Sequence, residues 1–358
     1  MLSANLTEKR LLKLMSKNKV SRHSSNKLRL LPFLVSSILA VTFFLSPLLA
    51  AQSRNALFFF ELQAVSAYNF SQKSFEFYSY LPHHAMQKSG PGLETLVRFY
   101  RRSSDLGYFS LQLRAVYDED KDQPLRFQLY NAFFRLKTGL AHFWLGHSKP
   151  ALGLNYSLDN HALLLPDATM LGHNFDRDWG LGLSRDFRQG DLAVSLTTGS
   201  GMKLKFQRNF LLSGRISYGV LARDNFNFGF SAFTGRVLEE MVEEEQTSSL
   251  IPWSGLALDV TYFWLNWESR LEINMGRRAG LPWHLVFLRQ GLNLLEEGRL
   301  KLEAQLSLLK HGGWSYLVGP AITYRLNSDL ALRSMFLYDR QARSSRLVLQ
   351  IYYYRKIF

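Results

Sequence analysis

The sequence predicts an all-β protein, a transmembrane antiparallel β-barrel of about 16 strands preceded by a cleaved signal peptide. Three observations lead there. Apolar and polar residues alternate with a period of two through most of residues 51–358. The alternating segments run to about ten residues, the length that crosses a bilayer at a tilt. Beyond residue 51 no stretch approaches the length of apolar sequence that a spanning helix needs. Backbone groups in hydrocarbon must pair among themselves, so a spanning sheet has to close into a barrel.

The totals agree. Of 358 residues, 47% are hydrophobic and 14% aromatic, which allows a large core and excludes a disordered chain. Cysteine is absent, which excludes disulfides, thiolate metal sites and a lipid-modified cysteine.

Residues 1–50 read as the signal peptide. Lys9, Arg10, Lys13, Lys17, Lys19, Arg22 and Lys27, with Arg29 at the edge, precede "LRLLPFLVSSILAVTFFLSPLLA", and the small residues Ala50 and Ala51 close it. The competing reading is a membrane-anchoring helix, against which Pro32 and Pro47 count. Met15 is an alternative start. The leader's eight basic residues against Glu8 hold +7 of the formal +14, half the excess, in a segment expected to be removed. Nucleic acid is therefore not an expected partner.

Strands are expected near 56–70, 93–101, 108–117, 125–136, 140–147, 179–187, 191–198 and 209–221. They continue near 226–235, 255–263, 267–275, 283–291, 299–309, 314–326, 330–339 and 346–358. In "YFSLQLRAVY" Phe109, Leu111, Leu113, Ala115 and Tyr117 share one face, and Ser110, Gln112 and Arg114 the other. "NWESRLEINM" sets Trp267, Leu271, Ile273 and Met275 against Glu268, Arg270, Glu272 and Asn274. With both termini periplasmic, linkers 71–92, 148–178 and 236–254 fall outside, and the tight turns 137–139, 188–191, 222–225 and 327–329 fall inside, the asymmetry such barrels show. Trp179, Trp253, Trp264, Trp267, Trp283 and Trp314 gather at strand ends, as in an interfacial girdle; Trp144 lies within a strand.

No catalytic constellation stands out, so no enzyme and no cofactor are expected. His83 and His84 adjoin in a loop, a poor first shell for a metal. His142 faces inward by parity, without a visible partner. The inward faces carry Arg98, Arg114, Arg126, Arg215, Arg270, Lys301, Arg325 and Arg333 against Glu61, Glu94, Asp186, Asp259, Glu268, Glu272, Glu303 and Asp339. Such a mixed wall fits a water-filled pore whose charges set ion preference, or opposite charges that pair and only solvate the lumen. The linker 148–178 is the candidate constriction. Its apolar cluster Ala162 to Leu165 suits a segment folded inward, and its chemistry-bearing residues are Lys149, Asp159, His161, Asp167, His173, Asp176 and Arg177. An external loop making subunit or lipid contacts is the other reading. The acidic stretch within 236–254 is expected to be a solvated face or a short helix. Lys203, Lys205, Arg208, Arg277, Arg278, Lys310, Arg340, Arg343 and Arg346 sit on outer loops and their edges, placed for lipopolysaccharide phosphates.

Two stretches between 140 and 201, "FWLGHSKPALGL" and "RDWGLGLSRDFRQGDLAVSLTTGSG", resemble the strand-plus-loop start and following hairpin of the phosphate-selective porins of the O and P type. The resemblance implies a Gram-negative outer-membrane channel, homotrimeric, with a third loop that narrows the pore. Those porins line the constriction with arginines and lysines. Here the third loop is net acidic and the wall balanced, so passive diffusion of small hydrophilic solutes or ions is expected over phosphate specificity. The reading from another class is a closed structural or adhesive barrel acting through its extracellular loops.

The resemblance also implies that Phe358 is read by the barrel-assembly machinery, with its face of the last strand, Val348, Gln350, Tyr352, Tyr354 and Lys356, toward lipid. Deleting Phe358 is expected to impair assembly; normal surface insertion of the truncated chain would refute this.

Overall fold

The computed structural model describes residues 55–76, 89–101, 104–117, 125–158, 166–238, 249–311 and 313–357. The signal peptide, His83, His84, Asp159, His161, the cluster 162–165 and Phe358 lie outside them. The alternating segments form sixteen long strands. They are β1 (Ala56–Asn69), β2 (Gly90–Arg101), β3 (Ser104–Tyr117), β4 (Leu125–Lys137), β5 (His142–Ser148), β6 (Asp178–Phe187), β7 (Gly190–Thr197) and β8 (Phe210–Tyr218). The second half comprises β9 (Phe226–Leu238), β10 (Leu250–Trp264), β11 (Trp267–Arg278), β12 (Leu281–Leu294), β13 (Leu300–His311), β14 (Gly313–Arg325), β15 (Leu330–Asp339) and β16 (Ser344–Lys356). A three-residue strand, Ser74–Glu76, folds back on the end of β1.

Every strand pairs antiparallel with its sequence neighbours, and β1 pairs with β16 in a continuous register from Phe59↔Lys356 to Asn69↔Arg346. That last ladder closes the sheet and removes its edges. The strand ends that flank the longer connections, Asn69 and Gly90, Ser148 and Asp178, and Thr197 and Phe210, gather at one end, and those that flank short turns, Phe187 and Gly190, Trp264 and Trp267, and Arg325 and Leu330, at the other.

Closure sorts each strand's alternation into an inside and an outside. Leu62, Leu113, Leu183, Val194, Ile216, Phe230, Leu258, Leu306 and Ile322 are exposed on the outer face. Glu61, Gln112, Arg114, Ser195, Arg215, Ser231, Asp259, Glu272, Arg289, Gln305 and Gln350 are buried on the inner one. The period of two is broken once where it matters. Gln112 pairs with Asn131 and Leu113 with Leu129, so a bulge on β4 puts Tyr130 and Asn131 on the same inner side.

Two expectations are corrected. On β16, Leu347, Leu349 and Ile351 are the exposed outer residues, whereas Val348, Gln350 and Tyr352 are buried within. The face that alternation assigns to Phe358 therefore points inward, because Gln350 hydrogen-bonds Arg333 (2.8 Å) and Val348 packs on Val65 and Met335. Of the tryptophans, Trp264, Trp267 and Trp314 are exposed at strand ends as a girdle requires. Trp253, by contrast, is fully buried against Phe233 and Phe175 inside the barrel, and Trp283 points inward to bond the Gly172 carbonyl. Both serve the interior packing, whose partner segment strand counting does not reveal.

An outward charge on the closing strand tests the assignment. Ile351→Arg is expected to lower folding stability in lipid vesicles by about 2–4 kcal/mol, measured by denaturant titration, the cost of a cation on a lipid-facing strand.

Candidate functional site

Residues 149–158 and 166–177 do not extend outward. After Ser148 the chain turns into the barrel, because Pro150 cannot continue a ladder and the next backbone donors find partners on the inner wall instead. Ala151 N–H donates to Ser195 Oγ on β7 (2.9 Å), Gly153 N–H to Ser231 Oγ on β9 (3.0 Å) and Leu154 N–H to Glu272 Oε2 on β11 (3.2 Å). A single helical turn, α1 (Gly153–Ser157), follows. Farther along, Gln305 on β13 donates to the Pro166 carbonyl, and Trp283 Nε1 on β12 to that of Gly172 (3.1 Å). The segment ties its two limbs together through Asn155 Nδ2 to the Phe175 carbonyl (2.9 Å) and Asn174 Nδ2 to the Leu152 carbonyl (2.9 Å).

Apolar side chains do the rest of the anchoring. Leu152 and Phe175 pack with Leu211, Phe233, Val237 and Trp253, and Leu154 and Ala168 with Leu285, Phe287 and Leu309. Leu171 reaches the cluster of Val65, Leu317, Met335 and Val348 on β1 and β14 to β16. Each buried leucine is worth about 1.5–3 kcal/mol. The segment thus touches the wall from β7 round to β16 and β1, and occupies part of the interior.

The loop residues expected to present chemistry mostly hold the loop. Asp167 is buried and accepts the N–H of Thr169 (3.0 Å) and of Met170 (3.0 Å), fixing a turn. His173 lies against the Trp283 ring at 5.4 Å. Lys149 donates to the Leu158 carbonyl. Asp176 accepts from Tyr130 OH (2.8 Å) and pairs with Arg177 (2.9 Å), whose Nε donates to Asn131 (2.8 Å) and whose guanidinium covers the Tyr130 ring at 4.6 Å. The bulge makes this root possible by turning Tyr130 and Asn131 to the same side. Tyr156 on α1 sits 5.8 Å from the Arg215 guanidinium, and burial pushes its phenol above the ordinary range, so it stays neutral.

The inner-wall charges fall into three groups. Arg215 forks onto Asp259 (2.7 and 3.2 Å) and also meets Asn227 (2.7 Å) and Asp191 (3.4 Å). Glu272 lies beside them under the helical turn, held by Leu154 N–H and Asn274 Nδ2 (2.8 Å). It is covered by the segment rather than lining open space. The second group is basic in balance. Lys301 bridges Glu268 (2.9 Å) and Glu303 (3.0 Å), Arg270 lies 2.6 Å from Glu268, Arg289 pairs with Glu303, and Arg333 lies 4.9 Å from the Tyr352 ring. In the third, Arg114 pairs with Glu61 (3.4 Å), which Gln112 also contacts (3.1 Å), and Tyr354 OH donates to Glu94 (2.8 Å). Arg98 and Arg126 take inner positions opposite Tyr108 and Val116. Asp186, largely exposed, lies 3.5 Å from His142.

The expected inner charges did not include Arg289 and Asp191, and although alternation places Ser231 and Gln305 on the polar faces of their strands, it does not mark them or Ser195 as partners of the loop. The inner face of β12 reads Leu285, Phe287, Arg289 against Val286, Leu288, Gln290, apolar on both sides because the inner leucine and phenylalanine pack on the folded-in segment. The serines' pairing with loop amides leaves no signal in the sequence, since only the fold brings the two near.

The position most sensitive to this docking is Gly153. Its φ of +56° and its place against the Glu272 carboxylate leave no room for a Cβ. Gly153→Ala is expected to loosen the turn by about 1–3 kcal/mol, seen as faster hydrogen exchange at the amides of Ala151, Gly153 and Leu154 with the strand amides unchanged.

No protein-family model and no curated protein matches the chain. Solved structures do. Salmonella typhi OmpF in complex with daunomycin superposes with a TM-score of 0.64 at 10% identity, over 84% of this chain and 98% of its own. The trimer form of in-vitro folded OmpT, an outer membrane protein of Vibrio cholerae, gives 0.57 at 9%, over 84% and 99%. The anion-selective porin from Comamonas acidovorans gives 0.56 at 10%, over 84% and 98%. At such identities the likeness speaks for the backbone alone: this chain has the closed sixteen-stranded barrel fold of these proteins.

Proposed function

We propose that the chain is an outer-membrane porin of a Gram-negative bacterium, a passive channel for small hydrophilic solutes or ions, without catalysis or cofactor. The observation that carries this is the closed barrel whose inner wall is charged and polar, with residues 149–158 and 166–177 folded against it. A barrel built only as a scaffold has no need of fixed charges on its inside, since apolar packing there costs less than burying ions. The constriction is this folded-in segment, and the wall residues facing the solute path are the basic group of Arg270, Arg289, Lys301 and Arg333 with Glu268 and Glu303. Both carboxylates are paired and only a small positive excess is left, so the preference between ions is weak. Affiliation with the O and P type of phosphate-selective porins rests on the stretch 140–201 alone.

The end bearing the longer connections faces outward and both chain termini lie on the periplasmic side, as short turns inside and long loops outside require. Residues 1–50 act as the signal peptide, the barrel-assembly machinery inserts the chain, and three copies associate, as the trimeric solved relative supports. Lipopolysaccharide surrounds the outer rim.

Planar-bilayer recording tests the reading. The folded chain is expected to conduct, and deletion of residues 155–175 to raise single-channel conductance, with the heat-modifiable gel band confirming that the barrel has formed. Unchanged conductance in the folded deletion variant sinks the constriction; a folded wild-type barrel that never conducts sinks the channel and favours the adhesive reading.

A further inference from the structure

The outer surface near the long-connection end carries a feature that passage through the lumen does not use. Met275 on β11, His284 on β12, Lys310 on β13 and Trp314 on β14 are successive cross-strand partners, so their side chains form one outward row. Arg277 flanks the row, paired with Ser254 and Pro282. Between β10 and β12 lies a cleft of about 390 Å³ lined by Ser254, Gly276, Arg277, Pro282 and His284. Gly276 opposes Gly255 across the ladder, and a side chain at Gly276 would stand 2.5 Å from the Ser254 carbonyl oxygen, so the two backbones approach closely only because both are glycine.

The chemistry of the row is that of an anion site. His284 Nδ1 accepts the Gly276 N–H (3.3 Å), which places the neutral ring's proton on Nε2 and leaves that nitrogen as a donor. Lys310 Nζ lies 5.5 Å from the Trp314 ring, itself 62% exposed. From β9 to β14 the alternation puts Glu268, Glu272, Asp259 and Glu303 inside, and no outward position on these described strands carries a carboxylate to neutralise Arg277 or Lys310. Away from the rim the same outer face is apolar, with Leu256, Leu258, Leu302, Leu306, Val318 and Ile322 exposed. Cations that face no carboxylate on the described strands, with an indole at the border of an apolar belt, match an amphiphile whose acyl chains lie on the belt and whose phosphate meets the row.

We propose that Arg277, His284 and Lys310, with Trp314, form a binding site for the phosphorylated headgroup of an outer-leaflet glycolipid. The arginine fork and the histidine N–H would bond phosphate oxygens in the cleft, and Lys310 would supply a point charge beside them. This rests on the outward orientation assigned to that end of the barrel under the porin reading.

The test titrates the full folded chain in detergent with lipid A and with dephosphorylated lipid A, while single-channel conductance is recorded on the same preparations. The double variant Arg277→Ala, Lys310→Ala is expected to bind lipid A about tenfold or more weakly, since each cation near an anionic surface is worth about 1 kcal/mol. Arg355→Ala, on the outer face at the opposite rim, is expected to bind as the wild type does, and removing the phosphates from the lipid to weaken wild-type binding to the level of the double variant. Equal binding of lipid A by the double variant and the wild type overturns the site, as does wild-type binding that ignores the phosphates. A double variant that keeps its lipid A affinity but changes particle mass assigns the face to a second copy and also overturns it. Absent conductance with phosphate-dependent binding intact would remove the channel and leave the lipid site standing.

Discussion

The pairing of β1 with β16 is the interaction on which the rest of the structure depends. Until that ladder forms, the sheet has two open edges and no inside; once it forms, every alternating strand has one face turned to a shared interior and one to the surroundings. Two consequences follow at once. Away from the rims the outer face can be apolar from β9 to β14, because no polar residue is needed there. The inner face must satisfy a crowd of charged and polar side chains at close quarters, where an unpaired charge is costly.

The interior meets that demand in two ways. Charges on neighbouring strands pair sideways, as Arg215 does with Asp259 and Lys301 with Glu268 and Glu303. Where side chains cannot reach one another, the folded-in segment supplies backbone donors and acceptors: Ser195, Ser231, Glu272 and Gln305 bond the main chain of Ala151, Gly153, Leu154 and Pro166 respectively. The same contacts that neutralise the wall therefore fix the loop. Stability of the loop and the electrostatics of the wall are a single network, and Gly153, pressed against Glu272, is its tightest point.

The outside obeys the opposite logic. Arg277 and Lys310 at the long-connection rim have no carboxylate opposite them on the described neighbouring strands, so their charge is directed to whatever surrounds the barrel rather than across the ladder. Side-chain direction alone separates Lys301, a bridge between two carboxylates, from Lys310 on the same strand, whose neighbours are His284 and Trp314.

The sequence by itself determined the strands, their number, the side of the barrel on which the long connections fall and most of the inner charges, because side chains of a strand alternate strictly and the alternation survives wherever one face is apolar. It failed where a second object contacts the wall. Leu285, Phe287, Val348 and Trp253 are apolar yet inward, since they pack on the folded segment or on neighbouring strands; Val348 therefore reads as lipid-facing and Trp253 as a girdle residue, and Leu285 and Phe287 leave their strand without a polar face to read. Which face of β16 is outermost, and the bulge that turns Tyr130 and Asn131 the same way, were decided by tertiary structure alone. The physical reason is common to all of them: periodicity records which residues share a face, whereas the partner that makes a face wet, dry or charged comes from residues distant in the chain, and only closure brings them together.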